Sequence, residues 1–140
     1  MKDYIIRGIT KDKCIRFFAV KANQVVSEAM NIHQLSYTNT ILLGRTLIAG
    51  LLMSNELKNE DDLLTIRFIG EGHAGHFLIT CNGRNSIKGY CENPGFESEK
   101  GFKASEAVGP GIINVIKSIG TLKPYIGQTN IISGEIAEDL

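Results

Sequence analysis

The sequence has no net charge, no disulfide framework and no apolar leader at its N-terminus. Lysine and arginine together number 15, as do aspartate and glutamate, so no excess of either sign favours binding to nucleic acid or to acidic membranes. The three cysteines, Cys14, Cys81 and Cys91, are an odd number without CxxC spacing, which argues against structural disulfides. Charged residues interrupt positions 1–20, so this segment lacks the pattern of a secretory signal. Together these absences predict a protein of the reducing cytoplasm.

What the sequence does contain is one long apolar stretch over residues 36–55. Its apolar residues lie on more than one side of a helix, and Arg45 is its only charged residue; such a helix is either buried or membrane-spanning. The apolar core of the stretch, residues 41–53, contains Arg45 and Thr46. It is also shorter than the about 20 residues that a membrane span requires. The pattern therefore predicts a buried core helix, with Ser36 or Thr38 as its N-cap.

Strand-like segments surround this helix on both sides of the sequence. They have alternating apolar residues and cover residues 4–10, 14–20, 63–69, 76–82, 86–92, 112–119 and 125–132. The first two should form a hairpin, and the next three should form an antiparallel meander with a tight turn at Asn82-Gly83. A second, amphipathic helix is predicted over residues 22–34.

These elements predict an α+β fold in one domain over residues 1–140. A helix that is apolar on all sides needs cover on two sides, so we expect a layered β/α/β arrangement of antiparallel sheets around the buried central helix. Apolar residues make up 43% of the chain, which is enough for one independent core. A last helix should begin with Ser133 as its cap and stops within two turns, which suggests that the chain is a piece of something longer.

The segment from Gly70 to Gly75 reads GEGHAG and matches the dinucleotide fingerprint GxGxxG. That fingerprint binds a pyrophosphate at the N-terminus of the helix that follows it. Here residues 76–81 alternate like a strand, so we expect a hairpin loop whose glycines permit positive φ. A small enzyme domain that binds a nucleotide or another ligand through this loop is the alternative function.

Histidines and cysteines do not form a recognisable site in this sequence. His73, His76, Cys81 and Cys91 match no zinc spacing, and on one strand His76 and Cys81 would point to opposite faces. We therefore predict no metal, no cofactor and no catalytic residue in this chain, which should not be an enzyme.

Three residues of the central helix have expected structural roles. Arg45 should cap carbonyl groups or pair with an acid such as Glu71 or Glu106, because an unpaired guanidinium in an apolar setting is costly; binding an anionic ligand is the alternative. Gly44 and Gly50 are expected at positions where the helix packs closely against its neighbours.

The outward face of the meander is the remaining candidate for a functional surface. If Leu64, Ile66 and Phe68 pack against the helices, the alternation of a strand points Leu63, Ile69, Leu78 and Tyr90 the other way. A contiguous exposed patch of such residues would mark a protein-binding surface.

Several stretches, taken in order, resemble one known family. They are IRGIT at 6–10, LGRTLIAGLLM at 43–53, GY at 89–90 with NP at 93–94, VIK at 115–117, PY at 124–125, GQ at 127–128 and SGEIAED at 133–139. Together they resemble the bacterial redox-regulated heat-shock chaperone of 33 kDa, and the resemblance spans essentially the whole chain as the N-terminal core domain of that family.

The resemblance implies an ATP-independent holdase that binds unfolded or misfolded client proteins and prevents their aggregation under oxidative and heat stress. It also implies a homodimer, and Leu63, Ile69, Leu78 and Tyr90 become the expected client-binding residues. In the family, a linker and a C-terminal module follow, and the module binds one zinc ion through four cysteines that form the redox switch. No residue here matches those cysteines, so the resemblance assigns neither zinc nor the switch to this chain.

Overall fold

The computed structural model of the chain describes residues 2–140. In chain order its elements are β1 (Tyr4–Ile9), β2 (Arg16–Lys21), α1 (Asn23–His33), α2 (Tyr37–Ser54), β3 (Leu63–Gly70), β4 (Phe77–Asn82), β5 (Ile87–Cys91), α3 (Ala104–Val108), β6 (Gly111–Ser118), β7 (Tyr125–Asn130) and α4 (Ile136–Asp139). The strands form a two-stranded sheet, β1-β2, and a five-stranded sheet in the order β5-β4-β3-β6-β7. All strand pairs are antiparallel. The predicted α+β class is confirmed.

The larger sheet contains the predicted meander and extends it. Strands β3, β4 and β5 are consecutive neighbours, as predicted, but β6 pairs with β3 on its other side, with Ile66 opposite Val115. The alternation along β3 buries Leu64, Ile66 and Phe68 completely on one face. That face packs against α2.

Helix α2 lies between the two sheets, which confirms the layered arrangement. It packs against β3, β4 and β5 on one side and against α1 and β2 on another, and Leu42, Leu43 and Leu47 are buried. Its N-cap is Ser36, whose hydroxyl accepts a hydrogen bond from the Asn39 N–H at 3.1 Å.

The cover around α2 is incomplete on a third side, although the sequence predicts a helix that is apolar on all sides. Ile48, Ala49 and Leu52 are only half-buried. They form a groove with Arg45 and with the first turn of α4. Helix α2 therefore has two buried faces and one partly open face, although its sequence is apolar on all three.

The β4–β5 turn and the N-cap of α4 differ in detail from the sequence predictions. The β4–β5 turn is closed by a bond from the Asn85 N–H to the Asn82 carbonyl at 3.0 Å, and Asn85, not Gly83, has a positive φ of 60°. The N-cap of α4 is Glu135 rather than Ser133. The Ser133 hydroxyl instead accepts a hydrogen bond from the Glu135 N–H at 3.2 Å. The turn therefore begins two residues before the N-cap of α4.

Candidate functional site

The four sequence-predicted surface residues lie on the side of the large sheet that faces away from the helices. Leu78 pairs directly with Tyr90 across β4 and β5, while Leu63 and Ile69 lie at the two ends of β3 on the same side. Leu63 is 41% exposed and Tyr90 is 52% exposed. The alternation along each strand thus places all four on one surface.

Strands β6 and β7 add apolar residues to this surface that sequence reasoning missed. Ile112 pairs with Ile69, and Ile116 pairs with both Thr65 and Ile126. Ile126 is 63% exposed because β7 is an edge strand. The alternation within 112–119 indicates which residues share a face, but only the long-range pairing of β6 with β3 shows that this face continues the meander.

We call this surface the outer face and define it by its apolar residues, Leu63, Ile69, Leu78, Tyr90, Ile112, Ile116 and Ile126. Thr65 and Thr80 lie among these apolar residues. Their hydroxyl oxygens are 3.3 Å apart and share a hydrogen bond. Arg67 and Asn114 are directly opposite each other near the centre. The outer face therefore combines these seven apolar residues with polar side chains on every strand, and Arg67 and Asn114 lie near its centre.

The glycine-rich loop from Gly70 to Gly75 has no free set of N–H groups for a phosphate. The Glu71 N–H donates to the Pro110 carbonyl at 2.9 Å, the Gly72 N–H to Val108 at 2.8 Å and the Ala74 N–H to Ala107 at 2.9 Å. The element that follows is strand β4, not a helix. The loop is therefore bound to the end of α3 and lacks the helix N-terminus on which the fingerprint depends.

The glycines of this loop serve two different purposes. Only Gly75 has a positive φ, 74°, as expected for a loop glycine. A side chain at Gly70 or Gly72 would collide with the backbone of Val108 or Ala107, so these two glycines permit close approach. The prediction that the glycines permit positive φ is wrong for Gly70 and Gly72.

The histidines and cysteines do not converge. His73 packs on the Phe96 ring, with 5.7 Å between ring centroids, while His76 Nδ1 lies 3.8 Å from a Glu92 carboxylate oxygen. Burial raises the pKa of the Cys91 thiol to about 11, which disfavours the reactive thiolate. Within residues 2–140, no three His, Cys, Asp or Glu side chains are grouped so that they could bind a metal ion.

Arg45 has a partner that differs from the predicted acids. Its guanidinium lies 2.6 Å from a Glu135 carboxylate oxygen, not near Glu71 or Glu106, and 5.3 Å from the centre of the Phe102 ring. A methyl group at Gly44 would lie 3.0 Å from Val26, and one at Gly50 would collide with Ile79. Arg45 therefore forms an ion pair with the N-cap residue of α4. Gly44 and Gly50 lie where α2 packs closely against α1 and β4.

The C-terminal SGEIAED stretch forms a compact turn around one carboxylate. Asp139 is buried and accepts hydrogen bonds from the N–H groups of Ile132 at 3.2 Å, Ser133 at 3.0 Å and Gly134 at 2.7 Å. A side chain at Gly134 would lie 2.7 Å from the Ala104 carbonyl oxygen. This part of the sequence therefore joins α4 to α3 and, through Glu135, to α2.

None of the helices within residues 2–140 combines the length and the apolar character that a membrane span requires.

The fold and the outer face define an α+β domain in which one side of the main sheet packs on helices and the other carries apolar and polar side chains, with Leu63, Tyr90 and Ile126 exposed. The model of the Hsp33 protein family matches residues 3–140. The chain therefore belongs to the Hsp33 family, which confirms the resemblance seen in the sequence.

The relatives support this assignment over the whole chain. The chain is 38% identical over 144 residues to the 33 kDa chaperonin of Acetivibrio thermocellus and 41% identical over 143 residues to that of Lactobacillus johnsonii. These alignments cover 100% and 99% of this chain but 49% of each relative. The crystal structure of the 33 kDa chaperonin from Thermotoga maritima is similar with a TM-score of 0.89 and 36% identity, over 96% of this chain and 48% of that one. The chain thus spans about half the length of these relatives.

Proposed function

We propose that this chain is the core of an ATP-independent holdase that binds unfolded proteins on its outer face and prevents their aggregation. The observation that carries the proposal is that each of the five strands of the main sheet has an apolar residue on the outer face, with Leu63, Tyr90 and Ile126 exposed. The relatives that carry the name chaperonin support the same function. Binding would draw on apolar area removed from water, at roughly 25 cal/mol per Å².

The same proposal covers the biochemical setting. The chain acts without a catalytic residue and without a cofactor of its own, in the cytoplasm, on unfolded or misfolded clients, and as a homodimer. Oxidative control through four zinc-binding cysteines, which the family resemblance implies, belongs to the part of the relatives that this chain does not span.

The direct test is suppression of aggregation of a heat-denatured client, followed by light scattering without ATP. We expect the wild-type chain to lower scattering at stoichiometric ratios. Leu63→Asp and Tyr90→Asp should each weaken client binding about tenfold, because a charge replaces an apolar contact of the outer face. Both positions are exposed, so the fold should tolerate the change.

The matched control is Ile32→Asp in α1. Ile32 is 66% exposed and lies on the helix that packs against α2, on the other side of the main sheet. This variant should suppress aggregation as well as the wild type. Two outcomes would show that the outer face is not the client-binding surface. The wild-type chain could leave scattering at the level without chaperone, or all three variants could lose the same share of the wild-type suppression of aggregation.

A further inference from the structure

Two polar side chains near the centre of the outer face have unused hydrogen-bonding capacity. Arg67 on β3 and Asn114 on β6 are direct cross-strand partners. In the part of the chain that the structure describes, neither side chain forms a hydrogen bond or an ion pair with another residue, and the buried Asn114 Oδ1 is without a partner. Arg67 is exposed while Asn114 is half-buried. The Asn114 Oδ1 is an acceptor and cannot bind a carboxylate, but the Asn114 Nδ2 amide and the Arg67 guanidinium have N–H donors without a partner next to each other on the outer face.

Four of the six residues next to this pair are apolar, and the other two are Thr65 on β3 and Gln128 on β7. Leu78 pairs with Arg67 from the β4 side, and Ile69 lies two residues further along β3. Ile112 and Ile116 flank Asn114 on β6. A chain segment that covers these residues would also cover Arg67 and remove water from around its charge. An unpaired guanidinium would then lose hydration, whereas a carboxylate from the segment would compensate it with charge-assisted hydrogen bonds.

The charges of the outer face have one sign. Along the five strands, the ionisable residues at outward positions are Arg67 and Lys88. Acids occur only beyond the strand ends, at Glu71 after β3 and at Glu92 after β5, and Glu92 lies 3.8 Å from His76. The centre of the face is therefore complementary to an acidic side chain and repels a basic one.

We propose that the outer face selects apolar, extended segments that carry an acidic side chain, and that Arg67 and Asn114 bind that carboxylate. The guanidinium and the amide supply N–H donors to the carboxylate oxygens, while the surrounding apolar residues contact the rest of the segment. The inference rests on the proposed function, since it names the class of client segment that the same surface prefers.

The test uses three fluorescent peptides with one apolar sequence and aspartate, serine or lysine at the centre. Fluorescence anisotropy with the wild-type chain should give the order aspartate, then serine, then lysine. We expect aspartate to bind about fivefold more tightly than serine, the upper range for a partly solvated ion pair. The difference should shrink when the salt concentration is raised to 0.5 M, where screening acts over about 4 Å.

Charge reversal provides the specific variant and its control. Arg67→Glu should reverse the order so that the lysine peptide binds best, and Arg67→Gln should remove most of the discrimination if the reversed charge disturbs folding. Lys100→Glu makes the same change in net charge in the exposed loop between β5 and α3. It should leave the wild-type order unchanged.

The outcomes separate this inference from the proposed function. Equal binding of the three peptides to the wild type, or an unchanged order in both Arg67 variants, overturns the inference and leaves the holdase proposal standing. Failure of all peptides to bind overturns both. Sedimentation measures whether Arg67→Glu dissociates a dimer. If the dimer dissociates and the wild type does not discriminate between the peptides, the outer face binds a second copy of the chain, and the inference is overturned as well.

Discussion

At the scale of single residues, the first turn of α2 attaches the long loop that follows β5. Asn39 is completely buried, and its Nδ2 donates to the carbonyl oxygens of Asn93 at 2.8 Å, Pro94 at 3.2 Å and Phe96 at 3.1 Å. Sequence reasoning missed this role, because an asparagine within an apolar helix gives no sign of the distant carbonyls that it contacts. Such a bonded polar group specifies one arrangement of loop and helix.

The neighbouring contact gives a pH-dependent prediction. The Thr38 hydroxyl donates to the Glu97 carboxylate, and the Thr38 N–H lies 3.2 Å from both carboxylate oxygens. These bonds lower the pKa of Glu97 below its ordinary value of 4.5. Because the folded-state pKa is below the unfolded one, this stabilisation is present above pH 4.5 and is lost as the pH falls through the lowered pKa.

We therefore expect Glu97→Gln to melt below the wild type at pH 7, with a gap that narrows below pH 4.5 as the pH falls through the lowered pKa of Glu97. Thermal unfolding followed by circular dichroism at several pH values measures the gap. Glu99→Gln, at an exposed position in the same loop, should show no gap at any pH. A Glu97→Gln variant that melts with the wild type at pH 7, or a gap that widens as the pH falls below 4.5, would contradict the lowered pKa.

At the scale of elements, glycines in α2 set how closely the helix approaches its neighbours. A methyl group at Gly50 would collide with the end of Ile79 and lie 3.2 Å from Ile87 Cδ1, and Ile79 is completely buried in β4. At Gly44 the nearest atom belongs to Val26, a half-buried residue of α1. The sheet side of α2 therefore has less freedom to adjust than the α1 side.

This difference predicts the effects of alanine at the two positions. Alanine favours a helix over glycine by about 1 kcal/mol, but overpacking a core costs roughly 1–3 kcal/mol. We expect Gly50→Ala to lower the free energy of unfolding by up to about 2 kcal/mol in urea denaturation, since its neighbour is fixed in the core. Gly44→Ala should change it by less, and a greater loss at Gly44 would contradict the proposed packing difference.

The elements also show where sequence reasoning works and where it stops. Alternation identified β3, β4 and β5 and the face that each residue occupies, because the period of a strand is a local property. The pairing of β6 with β3 and the ion pair between Arg45 and Glu135 join residues far apart in the chain. No local pattern contains them. For the same reason, sequence analysis found part of the outer face but not its β6 and β7 side.

At the scale of the whole molecule, the two sides of the main sheet have different tasks. One side packs on α2 and forms the core, while the other carries apolar residues on all five strands, of which Leu63, Tyr90 and Ile126 are exposed. The core side contributes to stability, and we propose that client binding uses the side that folding leaves free. On this proposal, unfolded proteins contact the outer face and not the helical side.

Photocrosslinking at two exposed tyrosines tests this claim most directly. Tyr90 lies on the outer face and is 52% exposed, whereas Tyr37 begins α2 on the helical side and is 69% exposed. Each is replaced separately by p-benzoylphenylalanine, and the chain is irradiated with a heat-denatured client. We predict strong crosslinks from position 90 and background levels from position 37. Equal crosslinking from both positions, or more from position 37, would contradict the account.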